Sequence, residues 1–453
     1  MSTAPPPIPP PPHRNPEGQA QHPHAQARAQ HPHQHQHQHP HQLPEAQPGS
    51  APLPRALAPD IARGFMLLLI AIANVSWHLW GHPTGLSSAH PTDGGPVDTV
   101  LATLSLIFVD GRIYPMFAFL FGYGMVQFAR SRAGRGTPDQ SIGRMLVRRH
   151  IWLIVFGFVH ALLLFNGDVL GAYGLAGLVL GGIFFRRTDR TLKIVSWVFA
   201  GLLALFALLA GAMAALMLLL PSEVKDEITA SMAAQSGSLT DAFSGQSNYV
   251  LAALARGGMW LVSTPATLLM LTFPLAIVLG WLAARRGLLE APADHRRTLA
   301  RIAVWGILIG AVGALPDALV FAGVLPLPEM IAWAFSGVNA VTGVAGGIGY
   351  AALFGLLALR IGSAPGVIGR AVAGIGRRSL SFYLLQSVVF APLLTAWGFG
   401  LGQHIGTTGA FAIAVAVWIL SLVLAIVLDA QNRRGPAEVL LRRLTYGRDD
   451  PAR

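Results

Sequence analysis

The chain has 453 residues, 53% of them hydrophobic and only 12% charged, with a formal net charge of +11 and no cysteine. Roughly a quarter of the residues in soluble domains are charged, so an ordinary water-soluble globule is excluded, and the missing cysteines exclude disulfides, thiolate metal sites and cysteine nucleophiles. Membrane proteins collect Lys and Arg in cytoplasmic loops, so the positive excess calls for no nucleic-acid partner.

Residues 1–54 hold PPPIPPPP, HPHQHQHQHPHQ and nine of the sixteen histidines. With almost no large apolar side chains, this stretch cannot offset the entropy of ordering and is expected to be a disordered, low-complexity tail rather than a metal site; no metal is expected. The first long apolar run begins near Ile61 and lacks a small-residue cleavage site, so it reads as a retained span.

Apolar stretches near the ~20 residues needed to cross a bilayer then recur. They predict an all-α polytopic bundle of about ten spans over 55–430: 61–80, 113–129, 151–166, 169–185, 194–220, 259–284, 302–325, 330–359, 379–399 and 408–429. The short run 97–109 reads as a lateral or re-entrant helix. Segment 221–258 reads as a short amphipathic helix plus a flexible connector, and 431–453 as a cytoplasmic amphipathic segment anchored at the membrane surface, with Arg442 and Arg443 on its polar side. Both termini are expected in the cytoplasm, because that orientation puts the arginine clusters at 130–149, 285–301, 360–378 and 433–453 inside a plasma (inner) membrane.

Ionisable and strongly polar side chains are costly within a span, so each one is a functional candidate. Asp60 and Arg63, three apart, can meet on one face of the first helix. Asn74 lies three turns further along that face, about 16 Å away. In FVDGRIYPMFAFLFGYGM, Asp110 and Arg112 flank a glycine before the second span, and Tyr123 lies within it; Arg112 either holds an anionic or carbonyl group in the bundle or anchors the helix.

GFVHALLLFNGDVLGAYGL places His160 in an apolar helix and Asp168 just past an Asn166-Gly167 turn. If the turn folds back, the carboxylate can fix the imidazole tautomer for acid/base work; if the helix continues, the pair stands about 12 Å apart. Packing for His160 and helix capping for Asp168 remain open alternatives. In GRRSLSFYLLQSVVF, Ser379 is placed to cap the ninth helix, and Gln386 is an intramembrane hydrogen-bonding group.

Five ordered segments, PDIARGFMLLLIAIANV, RIYPMFAFLFGYGM, GFVHALLLFNGDVLGAYGL, GRRSLSFYLLQSVV and GPAEVLLRRLTYG, resemble the YeiB-like family of bacterial multi-span membrane proteins. Their fold is similar to that of the transmembrane acyltransferase superfamily. That resemblance implies transfer of an acyl group from cytoplasmic acyl-CoA, a co-substrate rather than a bound cofactor, to an envelope glycan or lipid. Arg63-Gly64 and Asn74 match the first-helix pattern of the heparan branch; where the surface-sugar branch has a histidine, this chain has Asn74, with His78 and His82 beyond it. The resemblance and the polar residues together give His160, Asp168 and Asn74 catalytic places, and Asp60, Arg63, Asp110, Arg112, Tyr123 and Gln386 places in substrate binding. The rival expectations are a proton-coupled transporter of a small or amphipathic solute and a non-catalytic membrane scaffold or sensor.

Overall fold

A computed structural model of the chain describes residues 57–84, 88–327, 329–361 and 366–446. The Pro/His-rich tail lies outside the described residues. Within them the chain is helical, and strand-like pairing is limited to one isolated bridge between Thr84 and Pro91.

The elements in order are α1 (Leu57–Val75), α2 (Pro96–Phe108), α3 (Ile113–Ala133), α4 (Asp139–Leu163), α5 (Leu170–Phe184), α6 (Asp189–Leu218), α7 (Ser222–Phe243) and α8 (Tyr249–Leu269). They continue with α9 (Thr272–Arg285), α10 (Arg296–Phe321), α11 (Glu329–Ile361), α12 (Val367–Arg377), α13 (Ser379–Leu394), α14 (Thr407–Ala430) and α15 (Pro436–Tyr446). Among the described residues, seven helical stretches are long and apolar enough to cross a membrane, or eight if α8 and α9 form one broken span. A count of ten needs α5 and α13 as well, apolar helices of 15 and 16 residues that fall short of the usual ~20.

Local chemistry explains where these elements start and break. Pro96 occupies the first turn of α2, where its missing N–H costs nothing. The Asp98 carboxylate accepts from Gly95 N at 3.2 Å and from Thr408 N at 2.6 Å, capping α2 and the start of α14 together. Segment 97–109 joins α3 in one apolar stretch, Pro96–Ala133, interrupted only around 109–112. The expected single span 259–284 is instead two helices bent by 57°, with Leu271 at φ +52° in the left-handed region and Pro274 just after it. A proline removes a helical N–H and a left-handed residue ends the ladder, so the apolar run does not carry one straight helix.

Two further expectations are corrected. Residues 222–243 form one 22-residue helix rather than a short helix and a connector, and α8 starts directly from an Asn248 cap that accepts from Val250 N and Leu251 N. Ser379 does not cap α13. Glu438 of α15 does so from outside, accepting from Leu380 N at 2.8 Å, Ser381 N at 3.1 Å and Ser381 Oγ at 2.5 Å. The C-terminal helix is therefore docked onto the bundle by a carboxylate at a helix N-terminus.

The core is assembled where α1, α3, α9 and α11 meet, around Met66, Leu67, Met116, Phe119, Ile277, Trp281 and Ala351. Small residues set the closest approaches. A Cβ at Gly376 of α12 would overlap the Asp60 carbonyl of α1, and helices packed without a hydrophobic drive rely on such contact. By contrast, Gly201 of α6 faces open space. We expect Gly376→Ala to lower stability by about 1–3 kcal/mol through overpacking, and Gly201→Ala to leave it unchanged or raise it by up to about 1 kcal/mol through helix propensity. Thermal unfolding of the two purified variants in detergent checks both signs.

Candidate functional site

Near the end of the bundle opposite the arginine-rich loops, the Asn166-Gly167 turn reverses the chain between α4 and α5. Phe165 N and Leu164 N both bond back to the His160 carbonyl, ending α4 tightly. The reversal brings Asp168 onto α4, where Gly157 leaves the room: a Cβ there would strike Asp168 Oδ2. His160 Nδ1 lies 2.8 Å from Asp168 Oδ1, with 1% and 0% of the two side chains exposed. Asp168 Oδ2 accepts from Gly171 N at 2.8 Å and from Trp260 Nε1 at 3.3 Å. The carboxylate thus caps α5 and holds an imidazole at once, so the two readings open in the sequence coexist. With Nδ1–H committed to the carboxylate, Nε2 carries the lone pair, and it has no hydrogen-bond partner among the described residues.

Three other elements complete the surroundings. The Tyr383 ring of α13 lies 5.2 Å from that of His160, and its hydroxyl accepts from Val169 N at 3.4 Å. Phe165 stacks on His78 at 4.8 Å and meets His160 edge-on at 6.4 Å, so two imidazoles share one aromatic neighbour. His78 Nδ1 donates to the Asn74 carbonyl at 3.1 Å and leaves its own Nε2 unpartnered. The Asn74 side chain accepts from Tyr114 at 2.9 Å, and the Tyr173 hydroxyl donates to the Tyr114 carbonyl at 3.1 Å. Asn74, His160 and Asp168 therefore belong to one buried neighbourhood together with His78, Tyr114, Tyr173, Tyr383 and Trp260.

The other sequence candidates lie elsewhere. Asp60 and Arg63 pair at 3.4 Å near the start of α1, at the arginine-rich end. Arg112 is buried and holds carbonyl groups, but they are the chain's own: Leu106 O at 3.1 Å, Gly310 O at 2.5 Å and Asp110 O. It ties the α2–α3 junction to α10, and its Nε has no partner among the described residues. Tyr123 donates to Glu290 and accepts from Leu289 N at 2.9 Å, fixing the turn after α9. Gln386 donates to the Leu67 carbonyl at 2.8 Å, with Oε1 unpartnered.

Asp110 enters a hydrogen-bonded chain that motif reading did not assemble. It accepts from Ser105 Oγ at 2.9 Å and lies 3.0 Å from His90 Nε2, whose Nδ1 lies 3.1 Å from Ser76 Oγ. His90 sits in a loop without periodicity, and its partners are 14 and 20 residues away, so spacing carried no signal. Arg256, also missed, donates to the Leu162 and Leu163 carbonyls and so satisfies the end of α4 beside the His160 turn. His82 pairs with Asp93 at 3.1 Å in the loop after α1.

Residues 283–448 match the family described as "Protein of unknown function (DUF418)". The chain is 26% identical to the uncharacterized protein YxaH of Bacillus subtilis (strain 168) over 407 residues, covering 85% of this chain and 93% of that protein. It is 26% identical to the uncharacterized protein YeiB of Escherichia coli (strain K12) over 413 residues, 87% of this chain and 97% of that one. A 121-residue stretch, 27% of this chain, is 34% identical to an uncharacterized 39.9 kDa protein in the amylase 3' region of Bacillus acidopullulyticus and covers 32% of it.

The geometry around Asp168 makes a direct prediction. Asp168→Ala strands the His160 Nδ1–H, Gly171 N–H and Trp260 Nε1–H in an apolar interior, and we expect a loss of about 2–5 kcal/mol. Asp168→Asn, which retains one acceptor, loses less. Denaturation followed by tryptophan fluorescence, with Trp260→Phe to identify the local signal, measures the difference.

Proposed function

Taking as premise that the chain belongs to the YeiB-like family, we propose that it is a multi-span acyltransferase of the bacterial plasma membrane. The donor in this reading is an acyl-CoA thioester from the cytoplasmic, arginine-rich side, and the acceptor is a hydroxyl or amine of an envelope glycan or lipid. What carries the reading is one observation: a buried His160–Asp168 pair 2.8 Å apart, whose second ring nitrogen, Nε2, has no hydrogen-bond partner among the described residues.

The chemistry such a pair supports is general-base catalysis. The Asp168 carboxylate fixes the tautomer and would stabilise the imidazolium that forms. His160 Nε2 takes the proton from the acceptor hydroxyl or amine as that group attacks the thioester carbonyl. The carbon–sulfur bond breaks, and the imidazolium returns the proton to the departing thiolate. The products are acylated acceptor and free thiol, with every proton accounted for. Tyr383 and the Asn74–Tyr114 pair belong to the same buried neighbourhood and are the hydrogen-bonding groups that would orient the carbonyl or the acceptor. Arg63, at the opposite end of α1 with Asp60 3.4 Å from its guanidinium, is the cation of this pair and suits an anionic donor head rather than the reacting atoms.

The test uses purified protein in lipid nanodiscs, a labelled acyl-CoA and an envelope-lipid or glycan extract. We expect label to move to an acceptor, and His160→Asn to reduce transfer by roughly 10²–10⁴-fold in protein that remains folded. Transfer by folded His160→Asn at the wild-type rate, or a wild-type protein that neither binds nor cleaves the thioester, sinks the proposal. Solute flux in sealed vesicles that requires Asp168 but no acyl donor would instead favour proton-coupled transport.

A further inference from the structure

At the arginine-rich end, well away from His160, a cavity of about 230 Å³ opens between α3, α6, α9, α10 and α11. Its walls are apolar: Phe119 of α3, Leu279 of α9, Leu289 in the following turn, Leu299 of α10, and Ile348 and Ala352 of α11. The two charged residues lining it are Lys193, in the first turns of α6, and Arg286, one residue past α9, and both are exposed. Leu279 lies seven residues from Arg286, so the apolar part extends about 10 Å along α9 from the charged rim.

Neighbouring acids are already engaged. Asp189 pairs with Arg285 at 2.8 Å, and Glu290 receives the Tyr123 hydroxyl. The same tyrosine accepts from Leu289 N, so the turn that carries one wall of the cavity is held from inside the bundle. The charged groups that line the rim are both cations, Glu290 keeps its charge outside the lining, and the wall is fixed.

An apolar cavity is a poor place for water and takes apolar guests. At about 230 Å³ this one is smaller than the roughly 300–1,000 Å³ pockets that enclose whole ligands, so it has room for a chain but not for a bulky polar head. Cations at the ends of membrane helices attract anionic headgroups. We propose that this crevice binds an anionic amphiphile, with one acyl chain inserted toward Phe119 and Leu279 and a phosphate-bearing head held by Lys193 and Arg286.

This inference goes beyond the acyltransferase reading and does not depend on it. Two sources share the chemistry: a membrane phospholipid with an anionic head, and a soluble acyl nucleotide thioester. Occupancy is read without turnover, so failure of one proposal leaves the other standing.

The experiment embeds the full-length protein in vesicles containing a phosphatidylglycerol or a phosphatidylcholine whose acyl chain carries a diazirine, and maps photo-crosslinks by peptide mass spectrometry. A parallel arm uses a diazirine-acyl CoA. We expect crosslinks in 279–289, 299–302 and 348–352 with phosphatidylglycerol, the CoA thioester or both, and much less with phosphatidylcholine. Removing both cations, by Lys193→Gln with Arg286→Gln, is expected to weaken crevice labelling roughly 30-fold. These exposed positions leave the fold undisturbed. Ala352→Phe, which fills the shaft, should abolish crevice labelling by any head.

Labelling by phosphatidylglycerol alone assigns a lipid site, and displacement of that lipid by unlabelled acyl-CoA assigns a donor site. Equal labelling by anionic and zwitterionic lipid, labelling indifferent to the Lys193/Arg286 double variant, or crosslinks confined to lipid-facing positions such as Trp197 and Leu208 overturns the proposal.

Discussion

Hydrocarbon offers no hydrogen bonds, so each polar atom buried in this bundle must find a partner within the chain or cost several kcal/mol. Most of the intramembrane polar side chains are consumed by that demand. Arg112 and Arg256 serve carbonyls at helix ends, Gln386 serves the Leu67 carbonyl, and Trp418 donates to Gly64 O at 3.0 Å. Even Asp168, the most suggestive carboxylate, spends one oxygen on capping α5. A polar residue in a span is therefore weak evidence of chemistry until its partners are known. His78 and His160 stand apart because each commits Nδ1 to the protein, leaves Nε2 uncommitted and touches the same phenylalanine. His82, whose Nδ1 faces Asp93, and His150 also leave Nε2 without a partner among the described residues, so an open imidazole nitrogen alone does not mark the site; the shared Phe165 sets His78 and His160 apart.

How much of this was legible in the sequence follows from range. The helical class and most helix positions could be read because apolar runs of span length are a local signal. The His160–Asp168 relation was half legible: Asn-Gly marked a turn, and whether it closed depended on Gly157, a residue on the opposite side of the contact that spacing does not connect. Arg112 was legible in kind but not in partner. A carbonyl-holding role inside the bundle could be read from its place before the second span, yet Gly310, whose carbonyl it serves, lies 198 residues away. The Ser76–His90–Asp110 chain was invisible for the same reason, and so was the Glu438 cap on α13, 58 residues distant at Leu380. The break after α8 had a local signal in Pro274, which the continuous apolar character of 259–284 masked.

The fold keeps its two unspent resources at opposite ends. The imidazoles gather near the ends of α1 and α4, beside Tyr383 and Phe390 of α13, whereas the apolar crevice opens where α9 ends and α10 begins. The first region is polar but tightly packed, with 0–1% of the His160 and Asp168 side chains exposed; the second has room but little polarity. A reaction requiring both must bring a bound molecule from one toward the other, or move the helices between them.

The material between them is specific. Phe119, at the inner end of the crevice, lies five residues from Tyr114 on α3, about 7.5 Å of helix rise from the residue that holds Asn74. Aromatic rings surround Tyr173 along this part of α3: Phe117 stacks on it at 4.7 Å, Phe121, two residues past Phe119, does so at 5.4 Å, and Phe273 meets it at 5.7 Å. Phe273 stands at the start of α9, two residues beyond the left-handed Leu271 and beside the 57° bend. Phe273 therefore comes from the residues nearest the break, whereas Tyr173 is tied through its hydroxyl to the Tyr114 carbonyl. The broken α8–α9 pair thus contributes, through Phe273, to the aromatic layer that lies between the crevice and the buried histidines.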